Sequence, residues 1–262
     1  MPAPLEIALI QTSLHWESPE ANRLKMEQHI GKIRGAPHLI ILPEMFTTGF
    51  SMDAPGLAEH MGHKTIDWMH TQAEKTGAVI TGSCIVEEDG KYYNRLIWAD
   101  PEGGFHTYNK KHLFRMAGEH NHYAAGEDRV VMEVKGWKVC PLICYDLRFP
   151  EWSRNHYTPE QGLDYDLLVY VANWPAARSI AWDALLQARA VENLSYTAGV
   201  NRVGEDGKGI KYNGHSAVYG PMGDQLVYSE HAEGALEIAL DFEALEQYRK
   251  NFPAYLDAEK RA

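Results

Sequence analysis

Polar or reactive residues follow three of the short apolar runs in this sequence, at the points where the runs end. They are Glu44 after Leu39–Leu42 and Pro43, Cys144 after Val139–Ile143, and Asn173-Trp174 after Leu167–Val171. Apolar runs of this length without alternation are typical of strands covered on both faces. Ligands of such sheets bind beyond the carboxyl ends of the strands. We therefore expect a carboxylate, a thiol and an amide at one rim, provided that the three strands are parallel neighbours.

Cys144 differs from the other two cysteines in its position. A free cysteine is most often a buried packing residue, and we assign this role to Cys84 and Cys140. Cys144 instead ends a strand and precedes the polar, turn-prone segment Tyr-Asp-Leu-Arg. Such a position exposes the side chain and places backbone N–H groups beside it, which suits a nucleophile next to an oxyanion site.

Glu44 and Lys110 are weaker signals when each is taken alone. A glutamate after a strand is usually a solvated strand end, and a lysine is usually a surface charge. A thiol with an ordinary pKa near ~8.5 is mostly protonated at neutral pH. Attack by a cysteine therefore requires a base or a nearby positive charge.

The order of elements predicts a layered α/β protein, and no linker or change of composition divides residues 1–262 into two domains. A hairpin is expected at Glu88-Asp89-Gly90. Three segments have helical spacing. The first starts at Ser18-Pro19 with Leu24, Ile30 and Ile33 near one face, the second has Ile66, Met69 and Ala73, and the third has Trp182, Leu185, Leu186 and Arg189. The predicted strands are Ile7–Gln11, Leu39–Leu42, Ala78–Val86, Tyr92–Trp98, Val139–Ile143, Leu167–Val171, Tyr196–Val200, Ser216–Tyr219 and Ala235–Leu240.

Charge and composition limit the classes of function. The formal net charge of −11 repels phosphates and anionic membrane surfaces, which argues against nucleic-acid binding. The N-terminus lacks the features of a signal peptide, and no run approaches the roughly 20 apolar residues of a membrane span. Three cysteines without the spacing of a disulfide framework favour a reducing compartment. We expect a cytoplasmic protein that acts on a small molecule.

Three segments together resemble the carbon–nitrogen hydrolase (nitrilase) superfamily. They are Leu42-Pro-Glu44-Met-Phe, Tyr108-Asn-Lys110-Lys-His-Leu-Phe and Ile143-Cys144-Tyr-Asp-Leu-Arg-Phe-Pro-Glu, and the likeness extends from Ile7 to Pro253. The resemblance implies a four-layer α-β-β-α sandwich and a catalytic triad of Glu44, Lys110 and Cys144. It implies neither a metal nor a cofactor.

The resemblance also implies a second glutamate between the lysine and the cysteine. Glu119 stands at the corresponding place, and Glu127 competes with it but lies after Gly126 rather than before it. We prefer Glu119. In the implied mechanism Glu44 is the base, while Lys110 and the backbone N–H of Tyr145 stabilise the oxyanion. Glu119 then orients the lysine and the substrate amide.

Three further segments resemble the omega-amidase branch of this superfamily, whose substrates are terminal amides of 2-oxo acids such as 2-oxoglutaramate and 2-oxosuccinamate. The segments are Met45-Phe46-Thr-Thr-Gly-Phe, Ala172-Asn-Trp-Pro-Ala-Ala-Arg178 and Gln187-Ala-Arg-Ala-Val-Glu-Asn193. We expect Phe46 and Trp174 to form apolar walls of the substrate pocket.

An arginine is expected to hold the distal carboxylate of such a substrate through paired hydrogen bonds. Arg178 is our choice for this role, and Arg148 is the alternative. The competing interpretation is a structural ion pair, which for Arg148 would be made with Glu151 or Glu192.

Other interpretations stay open at this point. A nitrilase or an N-carbamoyl hydrolase would use the same triad, and a catalytically silent binding module would keep the fold alone. A zinc site built from His112, His120 and His122 with Cys140 and Cys144 is disfavoured, because no Cys-x-x-Cys or His-Glu-x-x-His motif is present. Members of the superfamily commonly form dimers through elements near the cysteine. The resemblance therefore implies a homodimer, with Tyr145–Trp152 and Asp241–Phe252 as the candidate contacts.

Overall fold

Two six-stranded sheets form the centre of the computed structural model, which describes residues 1–258. The strands in this part of the chain are β1 (Leu5–Gln11), β2 (Leu39–Ile41), β3 (Val79–Glu88), β4 (Lys91–Asp100), β5 (Gly104–Asn109), β6 (Met132–Val134), β7 (Trp137–Ile143), β8 (Tyr157–Thr158), β9 (Gly162–Leu163), β10 (Leu167–Ala172), β11 (Tyr196–Asn201), β12 (Val203–Glu205), β13 (Lys211–Asn213), β14 (Ser216–Tyr219), β15 (Gln225–Ser229) and β16 (Gly234–Leu240). The helices are α1 (Pro19–Ile30), α2 (Ala54–Leu57), α3 (Lys64–Thr76), α4 (Pro150–Ser153), α5 (Ser179–Asn193) and α6 (Phe242–Asn251).

The two sheets share one internal plan. The first has the strand order β16-β1-β2-β3-β4-β5, and the second has the order β15-β14-β11-β10-β7-β6. Three central strands are parallel in each sheet, β1, β2 and β3 in the first and β7, β10 and β11 in the second. The outer strands pair antiparallel with them. Each sheet therefore has one rim at which the carboxyl ends of parallel strands meet.

Alternate side chains of the first sheet face two different layers. In β1, Ile7 and Leu9 belong to a core cluster that includes β7 and β10 of the second sheet. Ala8 and Ile10 belong to a second cluster with α1 and α3. This division follows from the two-residue period of a strand. Gly199 of β11 lies against Trp182 and Leu186 of α5, so this helix covers the other face of the second sheet. The predicted four-layer α-β-β-α sandwich is confirmed.

The predicted strands are all present, and their ends differ from the predictions by no more than two residues. The predicted hairpin joins β3 to β4, where Glu88 pairs with Lys91. Asp89 and Gly90 have φ values of 53° and 73°. Positive φ at both central residues is what a two-residue turn of type I′ requires.

The prediction for the first helix was partly wrong. Leu24 is 58% exposed, and α1 ends at Ile30, before Ile33. The buried face consists of Asn22, Met26 and Ile30. Asn22 is polar, but its amide donates to the carbonyl of Thr47 at 2.6 Å, so burial costs it no hydrogen bond. Apolar spacing alone therefore identified Ile30 correctly but assigned Leu24 wrongly to the buried face.

The three strands that precede the polar residues are not all parallel neighbours, which corrects the prediction. β7 and β10 pair in parallel within the second sheet, whereas β2 lies in the first sheet. The expected rim is thus formed where the two sheets face each other. Within residues 1–258, no helix combines the length and the apolar composition needed to cross a bilayer.

Candidate active site

Cys144 lies at a sharp change of direction directly after β7. Its φ is 44°, in the left-handed region that non-glycine residues seldom adopt and that is often found at functional sites. The residue opens a 3-10 turn, Cys144–Arg148, and is 9% exposed at the wall of a cavity. Tyr145 is the second residue of this turn, so its backbone N–H has no acceptor within the turn and is available to a ligand oxygen.

Glu44 reaches the same place from the opposite sheet, three residues beyond the end of β2. Its Oε1 accepts hydrogen bonds from Lys110 Nζ at 2.8 Å and from Asn94 Nδ2 at 2.8 Å. Its Oε2 accepts a hydrogen bond from the backbone N–H of Asn173 at 2.8 Å. This carboxylate is also close enough to the Cys144 thiol to raise the pKa of the thiol.

Lys110 lies between two carboxylates just after β5. Its Nζ donates to Glu44 and to both oxygens of Glu119, each at 3.1 Å, and all three side chains are buried. Glu119 also accepts the backbone N–H of Phe114 at 2.5 Å. Glu127, the competing candidate, is exposed. The structure thus brings Glu119, and not Glu127, to the lysine.

The electrostatics of the site keep the thiol protonated at rest. Burial, together with the carboxylate of Glu44, raises the pKa of Cys144 well above its usual range, against the opposing effect of Lys110. Burial alone would lower the pKa of Lys110, but the carboxylates of Glu119 and Glu44 outweigh it and raise that pKa. Burial also raises the pKa of Glu119. Formation of a thiolate therefore requires a base that takes the thiol proton.

Two asparagines position Glu44, and the sequence analysis gave neither of them a role. Asn94 of β4 donates from Nδ2 to Glu44 and, at 3.4 Å, to Glu119. Asn173 donates from Nδ2 to the backbone carbonyl of Glu44 at 2.5 Å, which ties the two sheets together at the site. The available signal for Asn94 was a polar residue within the predicted strand Tyr92–Trp98, where burial requires hydrogen-bond partners.

A cavity opens onto Cys144 and Lys110. Its aromatic lining residues are Phe50, Phe114, Tyr145, Trp174 and Tyr212. Arg148 and Arg178 also line it, as expected for the two candidate carboxylate-binding residues. The guanidinium of Arg148 lies 5.0 Å from the centre of the Trp174 ring, and that of Arg178 lies 5.3 Å from the centre of the Phe114 ring.

Phe46 does not line this cavity, so the prediction for this residue was wrong. It is buried in the layer between the first sheet and its helices, with its ring centre 5.7 Å from that of Trp68. The chain turns after Glu44 because Met45 has a φ of 41°. This turn directs Phe46 into the core, and Phe50, four residues later, forms the wall instead.

The ion pair considered for Arg148 is also absent from the described residues. Glu192 pairs with Arg189 at 2.7 Å and with Arg154 at 3.6 Å. Arg148 instead lies over Trp174. Its guanidinium is thus left available at the cavity wall.

The residues of the zinc alternative lie apart. His120 and His122 are exposed, Cys140 is buried in the hydrophobic core, and His112 bonds to Asp146 at 2.8 Å. Within residues 1–258, no group of three or more His, Cys, Asp or Glu side chains is arranged to hold a metal ion.

The α-β-β-α sandwich with a thiol, an ammonium and two carboxylates at one rim defines a class of amidohydrolases, and comparison with known proteins gives the same class. A family model described as "Carbon-nitrogen hydrolase" matches residues 6–250. The chain belongs to this family.

Known proteins that align with almost the whole chain support this assignment. The chain is 45% identical over 259 residues to "Omega-amidase YafV" of Escherichia coli (strain K12), covering 98% of this chain and 97% of that protein. It is 33% identical over 257 residues to "2-oxoglutaramate amidase" of Bacillus subtilis (strain 168), covering 97% of each. A solved structure of XC1258 from Xanthomonas campestris, a CN-hydrolase superfamily protein with an arsenic adduct in its active site, superposes with a TM-score of 0.97 at 44% identity over 99% of both chains. The chain is thus an enzyme, and the alternative of a silent binding module does not hold.

Proposed function

We propose that this amidohydrolase is an omega-amidase, which releases ammonia from the terminal amide of small 2-oxo acids such as 2-oxoglutaramate and 2-oxosuccinamate. The observation that carries the proposal is the position of Arg148 and Arg178 in the cavity that opens onto Cys144. A guanidinium binds a carboxylate through paired hydrogen bonds. The monoamide of a dicarboxylic acid offers that carboxylate at one end and the amide at the other. The names of the two relatives also support this substrate class.

The first half of the reaction forms a thioester. Cys144 Sγ attacks the amide carbon while the thiol proton passes to Glu44, whose carboxylate is close enough to influence the thiol pKa. The electrons of the C=O double bond move to oxygen, and the Lys110 ammonium and the Tyr145 N–H stabilise the resulting charge. Glu44 then gives the proton to the amide nitrogen. The C–N bond breaks and ammonia leaves.

The second half returns the enzyme to its resting form. Glu44 takes a proton from a water molecule, whose oxygen attacks the thioester carbon. The tetrahedral adduct collapses with cleavage of the C–S bond, and the sulfur recovers its proton from Glu44. Glu119 holds the ammonium of Lys110 in place through both steps by its two 3.1 Å hydrogen bonds.

The choice between related activities is tested by measuring ammonia release. We expect hydrolysis of 2-oxoglutaramate, and little release from a nitrile or an N-carbamoyl amino acid at the same concentration. Faster turnover of the nitrile would identify a nitrilase. Faster turnover of the N-carbamoyl compound would identify a carbamoylase.

Substitution of Arg178 by alanine tests whether this arginine binds the distal carboxylate of the substrate, a role that we call the carboxylate clamp. A hydrogen bond to a charged group contributes about 1.5–3 kcal/mol, so we expect the KM for 2-oxoglutaramate to rise roughly 10- to 100-fold. The KM for an uncharged amide of the same chain length should stay unchanged. Arg115→Ala, which removes an exposed arginine outside the cavity lining, is the matched control. An equal loss on both substrates would refute the clamp and turn attention to Arg148.

We also propose a cytoplasmic homodimer, for which the aromatic residues of Tyr145–Trp152 and Asp241–Phe252 are candidate contacts. Sedimentation at micromolar concentration should show a dimer. A monomer alone under these conditions would contradict the proposed assembly.

A further inference from the structure

Asp146 links the segment that carries Lys110 to the turn that carries Cys144. It is fully buried, and its Oδ2 accepts the backbone N–H of Ile143, the residue before the cysteine, at 3.0 Å. Its Oδ1 accepts the backbone N–H of His112, two residues after the lysine, at 3.0 Å. The ring Nδ1 of His112 is also hydrogen-bonded to Oδ1, at 2.8 Å.

Tyr108, two residues before Lys110, also joins the lysine segment to Asp146. Its hydroxyl accepts hydrogen bonds from the backbone N–H of Lys111 at 3.2 Å and from Trp152 Nε1 at 3.0 Å. The single hydroxyl proton is therefore free to be donated to Asp146 Oδ2, at 2.7 Å. Burial, followed by the nearby Asp146 carboxylate, raises the pKa of Tyr108 well above its usual range, so the hydroxyl stays a donor.

We propose that Asp146 is a positioning residue that fixes the nucleophile relative to the ammonium, an inference that rests on the proposed function of this site. Lys110 follows β5 of the first sheet and Cys144 follows β7 of the second. One carboxylate holds backbone groups on both sides. The left-handed conformation of Cys144 needs such support, because a strained residue persists only where its surroundings fix it.

The substitution Asp146→Asn tests this inference with little change of volume. Each carboxylate oxygen of Asp146 faces a backbone N–H, that of Ile143 on one side and that of His112 on the other. An amide NH₂ would therefore oppose a donor in either orientation. Because a displacement of about 1 Å in an active site can cost about 10²-fold in rate, we expect kcat to fall by about 10²-fold with KM nearly unchanged. The rate of Cys144 alkylation by iodoacetamide should fall as well.

Asp166→Asn is the matched control. Asp166 is also buried, and it accepts hydrogen bonds from Arg249 Nη1 at 2.7 Å and from the backbone N–H of Lys138 at 2.9 Å. It lies just before β10, at the opposite end of that strand from Asn173. We expect a similar loss of thermal stability without loss of kcat. If Asp146→Asn loses only stability, as Asp166→Asn is expected to do, Asp146 is structural and the inference is overturned.

Tyr108→Phe keeps the inference testable if Asp146→Asn fails to fold, since it removes one donor and retains the ring. A fall in kcat at unchanged KM supports the positioning role, and a wild-type kcat overturns it. The alkylation assay needs no substrate. It therefore separates this inference from the proposed function, which fails if the wild-type enzyme does not release ammonia from 2-oxoglutaramate.

Discussion

Glu44→Gln is expected to lower kcat for amide hydrolysis by about 10²- to 10⁴-fold, the usual contribution of a general acid–base residue. Glutamine has nearly the same shape but cannot take the thiol proton. Both carboxylate oxygens of Glu44 accept hydrogen bonds from donors, Lys110 and Asn94 on one and the backbone of Asn173 on the other. The new NH₂ group would therefore oppose a donor in either orientation. The loss should appear in kcat more than in KM.

The measurement is steady-state ammonia release, combined with iodoacetamide alkylation of Cys144 across pH. Burial and the Glu44 charge both raise the pKa of the thiol, so Glu44→Gln removes the proton acceptor and also lowers that pKa. We expect the lost acceptor to slow alkylation at neutral pH, and the lowered pKa to move the alkaline rise of the alkylation rate to lower pH. Glu127→Gln makes the same chemical change at an exposed position and should leave both rates intact. A Glu44→Gln enzyme that keeps most of the wild-type kcat would contradict the assignment of Glu44 as the base.

Lys110→Met is expected to lower kcat by about 10²- to 10³-fold and also to destabilise the fold. The ammonium is proposed to stabilise the oxyanion, and loss of one such donor costs about 2.7–4 kcal/mol of barrier. Lys110 is also buried between the carboxylates of Glu44 and Glu119. Removal of one partner from a buried ion pair typically costs about 3–5 kcal/mol of folding free energy, because the remaining charge is uncompensated.

The destabilisation should depend on pH in a defined direction. The fold raises the pKa of Lys110, so the lysine's contribution is fully present below its unfolded pKa of about 10.4 and is lost only at more alkaline pH. In the variant, Glu119, whose pKa is already raised by burial, loses the opposing charge of the lysine. Its raised folded pKa makes the variant relatively more stable as the pH falls toward the unfolded carboxyl pKa of about 4.3. The difference in unfolding free energy between wild type and variant should therefore be larger at pH 8 than at pH 5.

Urea unfolding at these two pH values measures the difference. Lys111→Met is the matched control, since it removes the neighbouring lysine, whose Nζ lies 5.2 Å from the centre of the Trp152 ring. That control should change stability by less than about 1 kcal/mol. A pH-independent loss in Lys110→Met would mean that the two carboxylates are not left charged in the folded variant.

The sequence predicted the main strands, and the structure brings the predicted residues Glu44, Lys110 and Cys144 together, because both features depend on local patterns. Each strand is a short apolar or alternating run, and the triad residues sit in motifs next to strand ends. Assignment of β2 to a different sheet from β7 and β10 depends on contacts between distant parts of the chain. The pattern of strand ends predicted that the polar residues after β2, β7 and β10 lie at one rim. It did not show that these strands belong to two different sheets.

The pocket was harder to predict because it depends on backbone turns. Phe46 and Phe50 lie four residues apart in one segment, and the left-handed conformation of Met45 helps decide which ring reaches the cavity. Tyr212 comes from β13, near the end of a distant hairpin, and no motif pointed to it. Asn94 was hidden within a predicted strand, where a polar residue is easily taken for one that faces solvent.

The hydrogen bond from the Asn173 side chain to the backbone carbonyl of Glu44 joins the two sheets at the site, so loss of this contact should affect activity first. Neither sheet carries the whole site. The carboxylate of Glu44 and the ammonium of Lys110 come from the first sheet, and the sulfur of Cys144 comes from the second. A displacement of one sheet relative to the other would separate these groups. The backbone hydrogen bonds between strands within each sheet would remain intact. Activity therefore depends on the packing of the two sheets against each other. Under mild denaturing conditions, activity should be lost before the circular dichroism of the strands changes.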